Sequence, residues 1–251
     1  MGPPVAEEKS AVPISIFRNA RAVPGRRDGV QSRVYAQIKH GLMAGAFVPG
    51  QVLTLRKFAQ ALGTSPMPVR EAITQLVAAN VLESLPNGSV VVPRLTRERF
   101  TELASIRETL ECMAAAEAAR KATPDLVKRL ARINQQLRDA IVARDILACL
   151  ATNQEFHFTL YEASGSTLLM GFIETLWLQA GPMMYYSLSA PDTEWDATQH
   201  EDVLECLRAN DAAGVKRAIA RDIRTTTRYL LKSSIVFGGH AGPTAELRLL
   251  S

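Results

Sequence analysis

From residue 30 onward, apolar residues recur at helical spacing. Val30, Val34, Ile38 and Leu42 step by four and predict a helix over 30–44 with one inward face. Gly45 and the Pro49-Gly50 turn end it. Thr54 caps a second, short helix, with Leu55, Phe58, Ala59 and Leu62 facing in and Arg56, Lys57 and Gln60 facing out. Gly63 stops this helix in the left-handed conformation that other residues avoid. A third helix opens at Ser65, a good N-cap, with Pro66 at the first helical position, where no N–H is needed. Val69, Ile73, Leu76 and Val77 then face a core, and Asn80 takes the left-handed position after the helix. Two β-prone runs, 81–85 and 89–92, flank Pro86-Asn87-Gly88, a strong hairpin signal. Three short helices followed by a hairpin make a winged helix-turn-helix over residues 29–94.

After Pro93 the strand signal disappears. Phe100, Leu103, Ile106, Leu110 and Met113 mark a long helix, and Pro124 opens another with Leu126, Leu130, Ile133 and Leu137 inward. A third runs over 146–162, and a fourth, unusually apolar, over 167–188 with Leu168, Ile173, Trp177 and Met183. A fifth spans 194–208, and a last runs over 212–232 after Asn210-Asp211. These six helices predict an all-α bundle over 95–235, so the chain is mainly α overall. Residues 1–28, with prolines at 3, 4, 13 and 24 and charges throughout, read as a disordered tail, and 236–251 as a loosely ordered one.

Composition narrows the class. With 251 residues and 47% hydrophobic content the chain can bury two modest cores. No run approaches the ~20 apolar residues of a membrane span, and the N-terminal stretch lacks a signal-peptide core, so no membrane partner and a cytoplasmic location are expected. Cys112, Cys149 and Cys206 are odd in number and far apart on helical patterns, which fits reduced core thiols. Residues 1–95 carry eleven Lys and Arg against five Asp and Glu, a net +6, while the remainder nets −2. A basic first third on a near-neutral body suggests a polyanion-binding head.

The third helix carries the candidate chemistry of that head. Its first turn is stiffened by two prolines, and Arg70 and Thr74, four apart, lie off the apolar face. Recognition helices read bases from their N-terminal residues, so Ser65, Met67, Arg70 and Thr74 are candidate contacts to double-stranded DNA. The same features alone also fit an ordinary surface helix with Arg70 and Glu71 solvated.

The run 34–92 resembles the GntR family of bacterial transcription regulators. The resemblance rests on Ile38, Gly41, Pro49-Gly50, Leu53, Ala59, Leu62-Gly63, Ser65, Pro68-Val69-Arg70-Glu71-Ala72, Leu76 and Asn87-Gly88. It implies that Arg56, Arg70 and the wing at Asn87-Gly88 meet DNA. Where the family commonly has Arg after the capping residue, this chain has Pro66, which implies an altered operator. The second half resembles the helical effector domain of the FadR branch, called FCD, through Arg107-x-x-Leu110-Glu111, Asn153-x-x-Phe156-His157, Tyr161-x-x-Ser164, His200 and the stretch 211–222.

Asn153 and His157 are four apart and project from one helix face, a spacing that suits two ligands of one metal. By position, the resemblance implies a divalent-metal set of Asn153, His157, His200 and Asp222, with Asn and Asp standing where the family commonly has Asp and His. The formal ligand charge, −1, is unchanged by the exchange. Two imidazoles with two oxygens suit zinc, nickel or manganese. The alternative is a metal-free core with hydrogen-bonded histidines. Arg107 either pairs with Glu111 at the surface or points inward as a planar fork for a carboxylate. Tyr161, Trp177, Met183, Tyr185 and Tyr186 are candidate ligand-pocket residues, with core packing as the ordinary role of such side chains.

These readings converge on a homodimer that binds an inverted-repeat operator and responds to a small organic acid bridging the metal and Arg107. One rival is a dimer whose helical half has lost sensing. The other, a metal-dependent enzyme, lacks any metalloprotease-type His-Glu-x-x-His helix or a placeable nucleophile–His arrangement.

Overall fold

The computed structural model describes residues 29–189 and 196–237. The expected tail 1–28, residues 238–251 of the expected tail 236–251, and the expected start of the fifth bundle helix at 194 and 195 lie outside them, while residues 236 and 237 belong to a short helix instead of a tail.

The N-terminal part holds helices α1 (Val30–Met43), α2 (Leu55–Ala61) and α3 (Pro66–Ala78) and strands β1 (Val52–Leu53), β2 (Glu83–Ser84) and β3 (Val90–Val91). Val34, Ile38 and Leu42 are buried as the four-residue step predicts, although Val30, at the first turn, is half exposed. The strand β1 is absent from the sequence reading. It pairs antiparallel with β3, Val52 opposite Val91, so β3 is the middle of a three-stranded sheet of order β1-β3-β2. Two residues between a turn and a helix cap are too few to show alternation, and the pairing is a tertiary event. The hairpin strands are shorter than expected because Val81 and Leu82 turn into the core and donate to the Leu76 carbonyl instead. Gly88 supplies the positive φ of the wing turn, +78°.

Ser65 does occupy the N-cap of α3, but its hydroxyl makes no capping bond. A cap oxygen accepts from the second or third helical N–H, and the third helical residue here is Pro68, which has none.

The rest is helical: α4 (Arg97–Arg120), α5 (Pro124–Ala143), α6 (Ile146–Glu162), α7 (Thr167–Ser189), α8 (Thr198–Arg208), α9 (Ala212–Lys232) and the short α10 (Ser234–Phe237). Thr96, Thr123, Asp145 and Asp211 each cap the helix that follows through a side-chain oxygen. Helix α4 departs from its predicted stripe. Ile106 and Met113 are nearly half exposed, whereas the inner face runs Phe100, Leu103, Ala104, Arg107, Glu111, Ala114, Ala115 and Ala118. Small alanines let α9 lie close along α4, and a charged pair, rather than two large apolar side chains, takes the central positions. On α7, Leu168 is exposed as well, while Ile173, Trp177 and Met183 are buried as predicted.

The two parts touch through α1 and α7. Gly181 lies so close to α1 that a Cβ there would sit 2.2 Å from the Leu42 carbonyl oxygen and 2.8 Å from Met43 Cα, so only glycine fits. Lys39 of α1 pairs with Glu174 of α7 beside this contact. Pro182 removes one backbone donor from α7 at the same level. Among the described residues no helix is long and apolar enough to cross a membrane.

Candidate functional site

On the N-terminal part, the expected DNA contacts lie on α2, α3 and the wing. Arg56, Ser65, Met67, Arg70, Thr74, Asn87 and Gly88 are all exposed. Arg56 and Arg70 form no ion pair among the described residues. Met67 is 64% exposed on the first turn of α3. Thr74 spends its hydroxyl on the Arg70 carbonyl (2.9 Å), which turns its methyl outward. Asn87 accepts from the Ser89 N–H (3.0 Å) and holds the wing turn in shape.

In the bundle, His157 from α6, His200 from α8 and Asp222 from α9 converge. Their nearest ligating atoms all lie within 4.8 Å of one another. His157 Nε2 is 3.3 Å from Asp222 Oδ2 and 3.3 Å from His200 Nε2. The fourth expected member, Asn153, lies one turn before His157 and lines the same cavity together with Arg107, Trp177, Thr226 and Thr227. The cavity measures about 20 Å³, the room one water or one ion needs.

Burial dominates the electrostatics of the cluster. Burial, followed by the nearby His157, pushes the His200 imidazole down to about 3. Burial alone would raise the Asp222 carboxyl, but the facing His157, together with His200 and Arg107, outweighs this and holds it below the ordinary value. Deprotonated histidines and an ionised carboxylate are the forms that ligate a metal.

Arg107 unites its two expected alternatives. It pairs with Glu111, Nε to Oε1 at 2.7 Å, yet the pair is buried: Arg107 is 8% and Glu111 0% exposed. The guanidinium lies 4.6 Å over the Trp177 ring. One edge of the fork is therefore already committed to Glu111, and only the other edge can meet a ligand. Tyr161 is fully buried and bonds Glu111 and His157. Trp177 Nε1 is buried without a hydrogen-bond partner among the described residues. Of the other aromatic and thioether candidates, Met183 packs in a core cluster with Phe100 and Leu230, and Tyr185 and Tyr186 lie half-buried against that cluster.

Three residues of this site have no role in the sequence reading: Glu111 as a buried anion, Asn134 and Glu201. Asn134 Oδ1 accepts from His200 Nδ1 at 3.2 Å, and its Nδ2 donates to Glu201 at 2.7 Å. Its signal was available, since a polar Asn sits within the Leu130, Ile133, Leu137 stripe.

Comparison with known proteins places the whole arrangement. The model of bacterial regulatory proteins of the gntR family matches residues 30–92, and the FCD domain model matches 102–225. The HTH-type transcriptional regulator McbR of Escherichia coli (strain K12) is 30% identical over 191 residues, which cover 75% of this chain and 86% of that protein. This chain belongs to the GntR family. Its FadR-type architecture joins a DNA-binding winged helix-turn-helix to an FCD domain. The solved structure of E. coli McbR/YncC superposes with a TM-score of 0.76 at 30% identity, covering 81% of this chain and 97% of that one. The HTH-type transcriptional repressor RspR of E. coli (strain K12) is 23% identical over 196 residues, 78% of this chain and 86% of that protein. The relatives are transcription regulators rather than enzymes, and this GntR protein is a DNA-binding transcription regulator.

Proposed function

We propose that this GntR regulator is an effector-responsive homodimer, working in the cytoplasm, in which a divalent metal and a small organic acid in the FCD domain control binding to an inverted-repeat operator. The observation that carries the reading is the convergence of His157, His200 and Asp222, from three separate helices, on one buried point. Two neutral imidazoles and a carboxylate suit zinc, nickel or manganese, and Asn153 offers an amide oxygen beside them. Bound there, the metal would act as a Lewis acid that anchors an acidic ligand. Arg107 supplies the second anchor with its free edge.

The cavity size adds a mechanism. A space of about 20 Å³ accepts an ion or a water but no organic acid. An acid therefore has to widen the space between α4, α6, α7 and α9, and its affinity differs between the closed and the widened bundle. That difference is what shifts a conformational equilibrium. Helix α7 carries Trp177 on the cavity and Gly181 on the DNA-binding head, so widening acts on both.

On the head, Arg56, Ser65, Met67, Arg70, Thr74 and the Asn87-Gly88 wing form the DNA-contacting set. Dimerisation is supported by a second surface. Arg107 meets Trp177, and Lys121 meets the Ser164 carbonyl, so α4 and α7 run antiparallel. In that register exposed Met113 and Phe172 stand at one level, with Ile106 and Leu168 on the same two helices. An apolar strip of this kind is what a second copy would cover.

A thermal-shift screen of small carboxylic acids on metal-loaded wild type, His157→Ala and Arg107→Ala, followed by gel shifts, tests the proposal. Hits are expected to stabilise wild type only and to change operator affinity about 5- to 150-fold, the usual allosteric range. Hits that stabilise all three proteins equally would contradict the bridging mechanism.

A further inference from the structure

We infer that Tyr161–Glu111 and Asn134–Glu201 are two positioning pairs that fix the tautomers of His157 and His200, so that both Nε2 lone pairs face the point where the metal is proposed to sit. The inference rests on the metal reading above and assigns roles to side chains outside the ligand set.

The argument follows the protons. Tyr161 has one hydroxyl proton, and it goes to Glu111 Oε2 at 2.8 Å. Glu111 is fully buried, and its two oxygens accept from Arg107, so Tyr161 is the donor in this contact. The phenol oxygen therefore has only lone pairs left for His157 Nδ1, 3.0 Å away. Nδ1 must donate, and the neutral ring carries its lone pair on Nε2. On the other side, Asn134 Nδ2 donates to Glu201 Oε1 at 2.7 Å, and Arg138 holds the same carboxylate oxygen at 2.7 Å. This fixes the amide orientation and leaves Asn134 Oδ1, an acceptor, against His200 Nδ1 at 3.2 Å. His200 likewise donates from Nδ1 and keeps Nε2 bare. The stacked Phe156 ring, 3.9 Å between centroids, holds the imidazole plane.

The alternative shows why the pairs matter. With its Nδ1 released, either histidine could take the other tautomer and donate Nε2–H to the facing Nε2 at 3.3 Å. That neutral hydrogen bond would close the site on itself. With both Nδ1 protons committed, two lone pairs and the Asp222 carboxylate meet with no proton between them, an arrangement that only a cation satisfies. Either an added proton or a metal can fill it, and the outer pairs ensure that no tautomeric shift does. Outer partners of this type commonly contribute 10–100-fold in metal affinity.

The test has two parts. Nitrogen-15 spectra of the imidazoles of metal-free wild-type protein at mildly alkaline pH should show Nδ1 protonated and Nε2 bare in both His157 and His200; an Nε2–H tautomer in either overturns the inference. Zinc titration against a competing chelator should then show 10–100-fold weaker binding in Tyr161→Phe and in Asn134→Leu. Asn134→Asp, which still accepts from Nδ1, should keep the His200 tautomer. Unchanged zinc affinity in folded Tyr161→Phe and Asn134→Leu also overturns it. If wild type shows the expected tautomers yet binds no metal, the metal reading fails and the positioning roles stand.

Discussion

Replacing Glu111 by Leu tests what holds the centre of the bundle. The change leaves the Arg107 guanidinium, only 8% exposed, without its carboxylate and the Tyr161 hydroxyl without its acceptor. A surface i,i+4 pair contributes at most about 0.5 kcal/mol. Breaking a buried pair by removing one partner costs about 3–5 kcal/mol, because the remaining charge stays desolvated. At about 2–4 °C per kcal/mol for a chain of this size, the melting temperature should fall by roughly 6–20 °C. The companion variant Arg107→Met with Glu111→Leu removes both charges at similar volume. Buried pairs replaced by apolar residues are often neutral or stabilising, so the double variant should recover most of the loss. Methionine also keeps a favourable contact with the Trp177 ring. The assay is chemical or thermal denaturation of chelator-treated protein, so that metal linkage does not add to the difference. A cost for Glu111→Leu near the surface value, or a double variant as unstable as the single one, would refute the buried-pair account. Recovery in the double variant would also mean that stability does not require the pair, which leaves ligand anchoring and His157 orientation as the reasons for its place.

Further outcomes are expected elsewhere in the molecule. Arg56→Ala and Arg70→Ala should each lose about 1–3 kcal/mol of specific operator binding in gel-shift titrations, with unchanged circular dichroism, if each makes a bidentate base contact. Pro66→Arg should alter the motif returned by randomised-site selection, and an identical motif would show that position 66 does not read bases. Met113→Glu with Phe172→Glu should yield a monomer by light scattering, and a persistent dimer would place the interface elsewhere. Burial chiefly lowers the His40 imidazole, against weaker opposing effects of Glu155 and Gln154 of α6. A folded value below the unfolded one, about 6.5, means that the unfolded chain binds the extra proton first. Stability should therefore be intact above about pH 6.5 and decline as pH falls from there toward the lowered value, with a shallower decline in His40→Gln; parallel curves would remove His40 as a cause.

The head was legible because its signals are local. Gly63, Pro66, Asn80 and Gly88 fix turns and helix ends by their own backbone preferences, and periodic residues such as Val34, Ile38 and Leu76 mark the buried faces. The strand β1 was not legible, because its only reason to exist is pairing with Val90 and Val91 forty residues later. In the bundle, the apolar stripe of α4 misled. Periodicity treats Ile106 and Met113 as core and leaves Arg107 open between surface and interior, whereas the structure exposes the first two and buries Arg107 with Glu111. A buried ion pair needs Tyr161 and Trp177 from other helices, and such partners are not written into the local pattern. His157 and His200 were picked out by residue type and position, but their relation to Asn134 and Glu111 depends on which helices face each other. The committed edge of Arg107 and the small size of the cavity were likewise beyond reach of spacing alone.

The central claim is a metal held by His157, His200 and Asp222, and elemental mass spectrometry of untagged protein tests it most directly. The account predicts about one zinc, nickel or manganese ion per chain in wild type, and almost none in folded His157→Ala or His200→Ala. Wild-type protein that carries no stoichiometric metal and takes up none on dialysis against these ions would contradict it.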